Sequence, residues 1–255
     1  MLTLAGLGLG DELDLTLREV EVAKKADKVY CEFYTGKWAG SIEGLQNLIK
    51  KQVYVLGRKD LEENSSRILS EAREKDILIF TQGDPMVATT HSSLLVEARN
   101  MGIETKIIHN SSILSAATET GLHIYKFGAT VTIPFPEKTM GRFSKSVYDL
   151  IKDNRSRGLH TLCLLDISAD ARSFMTPTEA AGILLAMERT FGEGVIEPSQ
   201  KVVVFTKAGQ GSSLFYDEIE EFQAGKVSST PSILIIPGRL HFTEEEYLQK
   251  FRLEF

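Results

Sequence analysis

The sequence predicts an α/β protein in two halves that share a cleft, its helices packed on sheets with substantial parallel pairing. Three observations carry that expectation. Short β-rich runs alternate with helical patterns along most of the chain. Glycine turns or polar turns follow several of these runs directly, as ligand loops do at strand carboxyl ends. The balance of 42% hydrophobic and 25% charged residues over 255 positions is that of a packed globular chain, long for one domain and ample for two.

Leu2–Leu4 reads as the opening strand and runs into a glycine turn. A helix follows from about Asp14 to Ala26, with Leu17, Val20 and Ala23 on one face at helical spacing. Lys28–Phe33 is a strand, Ser41–Lys51 a short helix and Val53–Leu56 a strand. Asp60 is expected to cap the next helix, with Glu63 as capping-box partner and the helix reaching Glu74. Ile77–Thr81 is a buried strand, Gln82–Thr90 a loop delivering a helix through Met101, and Ile103–Ile108 a returning strand.

Beyond His109 the alternation loosens. Ser111–Thr120 is expected as a helix ended by Gly121, and Ala129–Ile133 runs into the Pro134-Phe135-Pro136 break. Arg142–Arg157 is helical, Thr161–Ile167 a strand, and Thr176–Arg189 a helix with Glu179 as capping partner. Val202–Thr206 and Ile233–Ile236 are strands separated by the polar stretch 207–230. The domains are placed at residues 1–110 and 111–255, and with no Pro/Ser-rich linker the halves are expected to share a cleft rather than hang on a tether.

Composition narrows the function. Twenty-nine basic against thirty-five acidic residues, a net charge of −6, disfavour a nucleic-acid binder. Cys31 and Cys163 lie far apart with no CxxC, so neither a disulfide framework nor structural zinc is expected, and a reducing cytoplasm is the default. The first ten residues carry no basic n-region, and the longest apolar runs are strand-sized, so neither a targeting segment nor a membrane span is expected. His91, His109, His123, His160 and His241 are scattered without metal-ligand spacing. No GxxxxGK[ST] or GxSxG segment supplies a phosphate loop or a nucleophile elbow.

Three loops remain as carriers of chemistry. Gly6-Leu7-Gly8-Leu9-Gly10-Asp11 follows the first strand; it lacks the third glycine of a dinucleotide fingerprint, and Asp11 stands where a pyrophosphate would sit. Its bland alternative is a tight turn with no ligand. Gly83-Asp84-Pro85 follows a buried strand, with Asp84 either a ligand acceptor or an Asx turn bonding its own backbone. His91 beyond it is a base candidate, although a cap or solvent residue is the commoner role. His109-Asn110-Ser111-Ser112-Ile113 could hold a polar or anionic ligand end on free helix N–H groups, or simply cap. All three follow strands, and in an open α/β sheet strand carboxyl ends line one crevice. A fourth segment, Lys138–Arg157, holds six basic and two acidic residues; a solvated helix is its bland reading and docking of an acidic surface the other.

These loops, in this order, resemble the tetrapyrrole-methylase type of S-adenosylmethionine-dependent methyltransferase, and within it the diphthine synthases. The resemblance runs through GLGLGDELDLT, EFYTG at 32–36, GDPMVATTH at 83–91, TGLHIYKFG at 120–128, LHTLCLLDI at 159–167, FMTPTEA at 174–180, KAGQGS at 207–212 and PGRLHFTEEEYL at 237–248. GDPMVATTH and TGLHIYKFG are specific to this branch. The resemblance implies a tetrapyrrole methylase-like enzyme of two α/β domains with a cofactor cleft between them, a homodimer that transfers methyl groups from S-adenosylmethionine to the amine of an aminocarboxypropyl-modified histidine of elongation factor 2. The archaeal form makes three transfers and the eukaryotic form adds one to the carboxylate; the trimethylating form is the one expected. By motif position it implies cofactor contacts at Leu9, Asp84, Val87, Ser112 and Ile113, and at Leu165, Ala208 and Ser232. It singles out no catalytic residue and requires no metal.

Two positions depart from the pattern. Ser232 stands where the family usually has His, and Thr81-Gln82 where it often has an apolar residue and Pro. Methyl transfer from a sulfonium needs alignment and exclusion of water more than a nucleophile, so the amine is expected to lose its proton to solvent or to its own carboxylate. The readings weighed against this one are a precorrin-type methyltransferase and a non-catalytic docking module of the translation machinery.

Overall fold

A computed structural model describes residues 1–168 and 173–253. The chain forms two compact units, Met1–Ala116 and Ala117–Phe255.

In the first unit, strands β1 (Leu2–Gly6), β2 (Lys28–Glu32), β3 (Val53–Leu56), β4 (Ile77–Thr81) and β5 (Thr105–Ile108) form one parallel sheet in the order β3-β2-β4-β1-β5. Side-chain alternation divides its core. Leu2, Leu4, Tyr30, Ile77 and Ile79 face Leu61, Ile68, Leu69, Leu94, Leu95 and Ala98 of the helices between strands. Ala5, Val29, Cys31, Leu78 and Phe80 face Val20, Ala23, Leu45 and Ile49 on the other side. Burial of both faces is what parallel pairing with crossover helices requires.

Helix boundaries follow their caps. The first α-helix is Leu17–Lys25, closed by a capping box between Thr16 and Glu19, so Asp14 falls in the preceding 3-10 turn (Glu12–Asp14). The helix expected to be capped by Asp60 starts earlier: Gly57 is the cap and the Asp60 carboxylate accepts from the Gly57 N–H at 2.8 Å. It also breaks at Asn64 into Arg58–Glu62 and Ser65–Ala72.

In the second unit, β6 (Val131–Ile133), β7 (Thr161–Leu165), β10 (Lys201–Thr206), β11 (Ser213–Glu218) and β12 (Ser232–Ile236) form a sheet of order β11-β10-β12-β7-β6, while β8 (Ile167–Ser168) and β9 (Ser173–Phe174) pair separately. Only β6 and β7 run parallel among the described strands of that sheet; the others are antiparallel. The polar stretch 207–230 contains β11 and a helix, Ile219–Gln223. As an edge strand, β11 buries only Tyr216 and Asp217, so its apolar signal is weak. Helix Pro177–Phe191, with its Thr176–Glu179 capping box, covers this sheet together with Lys145–Ser156.

Candidate active site

The three loops of the first unit lock onto one another at the carboxyl ends of β1, β4 and β5. Gly8 and Gly83 exchange backbone hydrogen bonds, 3.3 and 3.0 Å, and the Leu7 N–H donates to the Thr81 carbonyl at 2.8 Å. A Cβ on Gly6 would lie 2.3 Å from the Gly83 oxygen and 2.5 Å from the Asn110 Cβ, so all three loops touch at that point. Ala88, with φ 55°, places a non-glycine residue in the left-handed region within the β4 loop, a local strain of the kind that gathers at ligand sites.

The N–H groups of the first loop are already engaged. The Asp14 carboxylate accepts from Leu9 N–H at 3.1 Å and Gly10 N–H at 2.6 Å, while Asp11 turns away to cap Leu13 N–H at 2.9 Å. A phosphate would have to displace this internal carboxylate, which is a physical ground for excluding a dinucleotide. The acid responsible is Asp14 rather than Asp11; its signal was its position four residues past Gly10, where a 3-10 turn brings it back.

Asp84 is the hub. Its carboxylate is only 6% exposed and accepts from Met86 N–H at 2.8 Å, making the Asx turn, but also from Asn110 N–H at 3.2 Å and from His109 Nδ1 at 2.8 Å. The carboxylate therefore joins the β4 loop to the end of β5 and is more than a local turn. Val87, whose N–H donates to the Asp84 carbonyl, sits on the same turn.

The third loop differs from expectation. The helix predicted over 111–120 is one α turn, Ile113–Ala116, continued as a 3-10 segment, Ala117–Thr120. Ser111 N–H donates to Asn110 Oδ1 and Ser112 N–H to Ser115 Oγ, so these donors are not free for an anion. Asn110 Nδ2 reaches Glu19 at 3.0 Å and the Asp14 carbonyl at 3.1 Å. Burial pushes the Glu19 carboxyl up, against hydrogen bonds from Thr16 and Asn110.

Beside these loops, on the sheet face that carries Tyr30 and Ile79, buried Glu32 accepts from Tyr34 N–H, Thr35 N–H, Thr35 Oγ1 and Gln82 N–H. His91 is buried at 3% exposure, neither solvent residue nor side-chain cap; Nδ1 lies 2.6 Å from Thr89 Oγ1 and Nε2 3.4 Å from the Tyr34 hydroxyl. Burial holds its pKa below the ordinary value, against the pull of Glu32. The Thr81 hydroxyl and Gln82 Nε2, at the positions that depart from the family pattern, are buried without hydrogen-bond partners.

In the second unit, register gathers the other three candidates at one sheet edge. Leu165 ends β7, Ala208 follows β10, and Ser232 opens β12 opposite Thr206, next to the Leu164–Ile233 pair. The Ser232 hydroxyl donates to the Ser229 carbonyl. Of the six basic side chains in 138–157, five are engaged within this unit: Lys138 with Asp166, Lys145 with Asp149 and Glu193, Lys152 with Glu193, Arg155 with Gln200, and Arg157 with Asp153. That pairing favours a solvated helix face over a free basic patch. Both cysteine thiols are buried, which pushes their pKa up and leaves them poor nucleophiles. Among the described residues, no three His, Cys, Asp or Glu side chains gather as metal ligands, and no helix is long and apolar enough to cross a membrane.

Comparison with known proteins fixes the class. The family model described as Tetrapyrrole (Corrin/Porphyrin) Methylases matches residues 1–217, and the chain is a methyltransferase of this type. It is 47% identical over 251 residues to a diphthine synthase of Methanococcus vannielii and 46% identical over 253 residues to that of Methanocaldococcus jannaschii, covering 98% of both chains in each case. A crystal structure of diphthine synthase superposes with a TM-score of 0.87 at 35% identity, covering 98% of this chain and 95% of the other. The chain belongs to the diphthine synthase family.

Proposed function

We propose that this methyltransferase uses S-adenosylmethionine to trimethylate the amine of the aminocarboxypropyl-modified histidine of elongation factor 2, giving diphthine, as a cytoplasmic homodimer. Leu9, Asp84, Val87, Ser112 and Ile113 of the first unit and Leu165, Ala208 and Ser232 of the second are the residues proposed to hold the methyl donor.

The observation that carries the reading is the donor and acceptor set of the first unit. The N–H groups of Leu9 and Gly10 are taken by Asp14, and the central side chain is a carboxylate. Such a site suits a ligand rich in hydroxyl and ammonium groups and lacking phosphate, which S-adenosylmethionine is. When bound, S-adenosylmethionine supplies an electrophilic methyl group on a sulfonium. The chain's part is to hold the loops in register, which Gly6, Gly8 and Gly83 do by backbone contact and the Asp84 carboxylate does by joining the β4 loop to the end of β5.

Asparagine at Asp84 would turn an acceptor into a donor facing Asn110 N–H. The expected result is a roughly tenfold or larger loss of S-adenosylmethionine affinity in calorimetry, the cost of one mispaired buried polar group. The functional test mixes the protein, labelled S-adenosylmethionine and elongation factor 2 bearing the unmethylated precursor, and counts methyl groups on the histidine by mass spectrometry. Three groups support the reading, four would replace it with the form that also methylates the carboxylate, and none would overturn it.

A further inference from the structure

The family reading assigns no group to take the proton that the amine must lose before each transfer. We propose that His109, oriented by Asp84, is the proton acceptor, an inference that rests on the amine-methylating function proposed above. The arrangement has the parts of a general-base dyad. Asp84 is almost fully buried and held on its other oxygen by Met86 N–H, so it is a fixed acceptor. His109 Nδ1 lies 2.8 Å from Asp84 Oδ2, whereas the His109 side chain is 69% exposed.

A carboxylate only accepts, so in the neutral imidazole this bond places the proton on Nδ1 and leaves the lone pair on Nε2. An inward partner that fixes the tautomer and an outward nitrogen that meets the substrate are what a positioned base requires. The location agrees with the role, because His109 follows β5 and is tied to the Asp84 turn, at the strand ends where the three loops meet. Asp84 is the charged group bonded to it. Asp14 and Glu19 are the acids next along, across the Asn110 side chain.

In each cycle the substrate ammonium gives one proton to His109 Nε2, and the imidazolium formed is stabilised by the Asp84 carboxylate. The freed nitrogen lone pair forms the carbon–nitrogen bond as the methyl–sulfur bond breaks, and the sulfur keeps that electron pair. The imidazolium releases its proton to solvent from its exposed edge before the next transfer. The three transfers of the proposed function thus discharge three protons through one side chain. This replaces the expectation that solvent or the substrate carboxylate takes them unaided.

The test rests on His109→Asn, because an asparagine amide reproduces the Nδ1 donor to Asp84 and deletes Nε2. In the variant, S-adenosylmethionine affinity by calorimetry and the melting temperature should match the wild type. Single-turnover methylation near neutral pH should fall by roughly a hundredfold or more. The deficit should shrink as pH rises towards the range where the amine deprotonates without help. Ring-nitrogen NMR of labelled histidine should show His109 of the wild type protonated on Nδ1 and bare on Nε2. A variant that keeps the wild-type rate, or one whose loss is the same at every pH, overturns the inference and leaves His109 as a pin for Asp84. If the wild type itself neither binds S-adenosylmethionine nor methylates the precursor, it is the proposed function that fails.

Discussion

Glutamine in place of Glu244 is expected to destabilise the second unit by about 2–3 kcal/mol, read as a lowered denaturation midpoint and faster amide exchange around β7 and helix Phe242–Leu248. Glu244 is fully buried, and burial alone would raise its pKa. Hydrogen bonds from His241 N–H, Lys126 Nζ, His123 N–H and His160 Nε2 outweigh that and hold it at about 2. His160 Nδ1 accepts from Gly238 N–H at 2.9 Å, so its proton is on Nε2, pointing at Glu244. A single carboxylate thus gathers residues that lie far apart in the chain, and a glutamine amide would confront Lys126 and His160 with a donor.

The pH dependence has a definite sign. A carboxylate whose pKa falls from 4.5 to about 2 on folding contributes stability that is fully present above 4.5 and lost as pH falls towards 2. Burial lowers the His160 pKa below 6.5, against the pull of Glu244. A histidine kept neutral by the fold also removes stability as pH falls below its unfolded value. Both effects act on the acid side, so the wild-type stability should decline from about pH 6.5 and more steeply below 4.5, whereas Glu244→Gln should reduce the lower slope. A wild-type curve that is flat between pH 4.5 and 2 would contradict this account.

The second large effect is expected at Gly6. Alanine there drives a methyl group to 2.3 Å from the Gly83 carbonyl and 2.5 Å from the Asn110 Cβ. Neither neighbour yields cheaply, since Gly83 is bonded to Gly8 and Asn110 to Asp84 and Glu19. Overpacking of this kind costs about 1–3 kcal/mol, and separation of the loops should weaken binding of the proposed methyl donor along with stability. Gly182→Ala is the control. It lies within helix Pro177–Phe191, its nearest obstacle is 4.0 Å away, and helix propensity predicts a gain of up to about 1 kcal/mol. Equal losses in the two variants would show that steric contact at the loop junction is not the cause.

What could be read in the chain followed the strength of local signals. The buried strands of the first unit, the Thr176–Glu179 capping box and the three strand-end loops each combine a hydrophobic run with a turn or cap, and these lie where the sequence places them. Lost signals have equally local reasons. β11 is an edge strand with little to bury, and the helix break at Asn64 carries neither Gly nor Pro. Long-range polar contacts were not legible at all. Nothing in His109-Asn110 announces a carboxylate twenty-five positions earlier, and nothing in the run of glutamates at 244–246 marks Glu244 as the buried one. The Asp14 contact was half legible, since an acid beyond the glycine turn was noticed but at the wrong position.

The Asp14 carboxylate also bears on discrimination among adenosine-bearing molecules. Adenosine di- and triphosphates share their base and sugar with S-adenosylmethionine, the proposed methyl donor, and differ in carrying a polyanionic phosphate tail where it has a sulfonium and an amino acid. A loop that already holds an anion of its own chain repels a second one, so a nucleotide would gain no foothold there through its phosphates. Selectivity of this sort is a matter of occupancy. For the proposed methyl donor, the loop would exclude the wrong guest by keeping the seat filled.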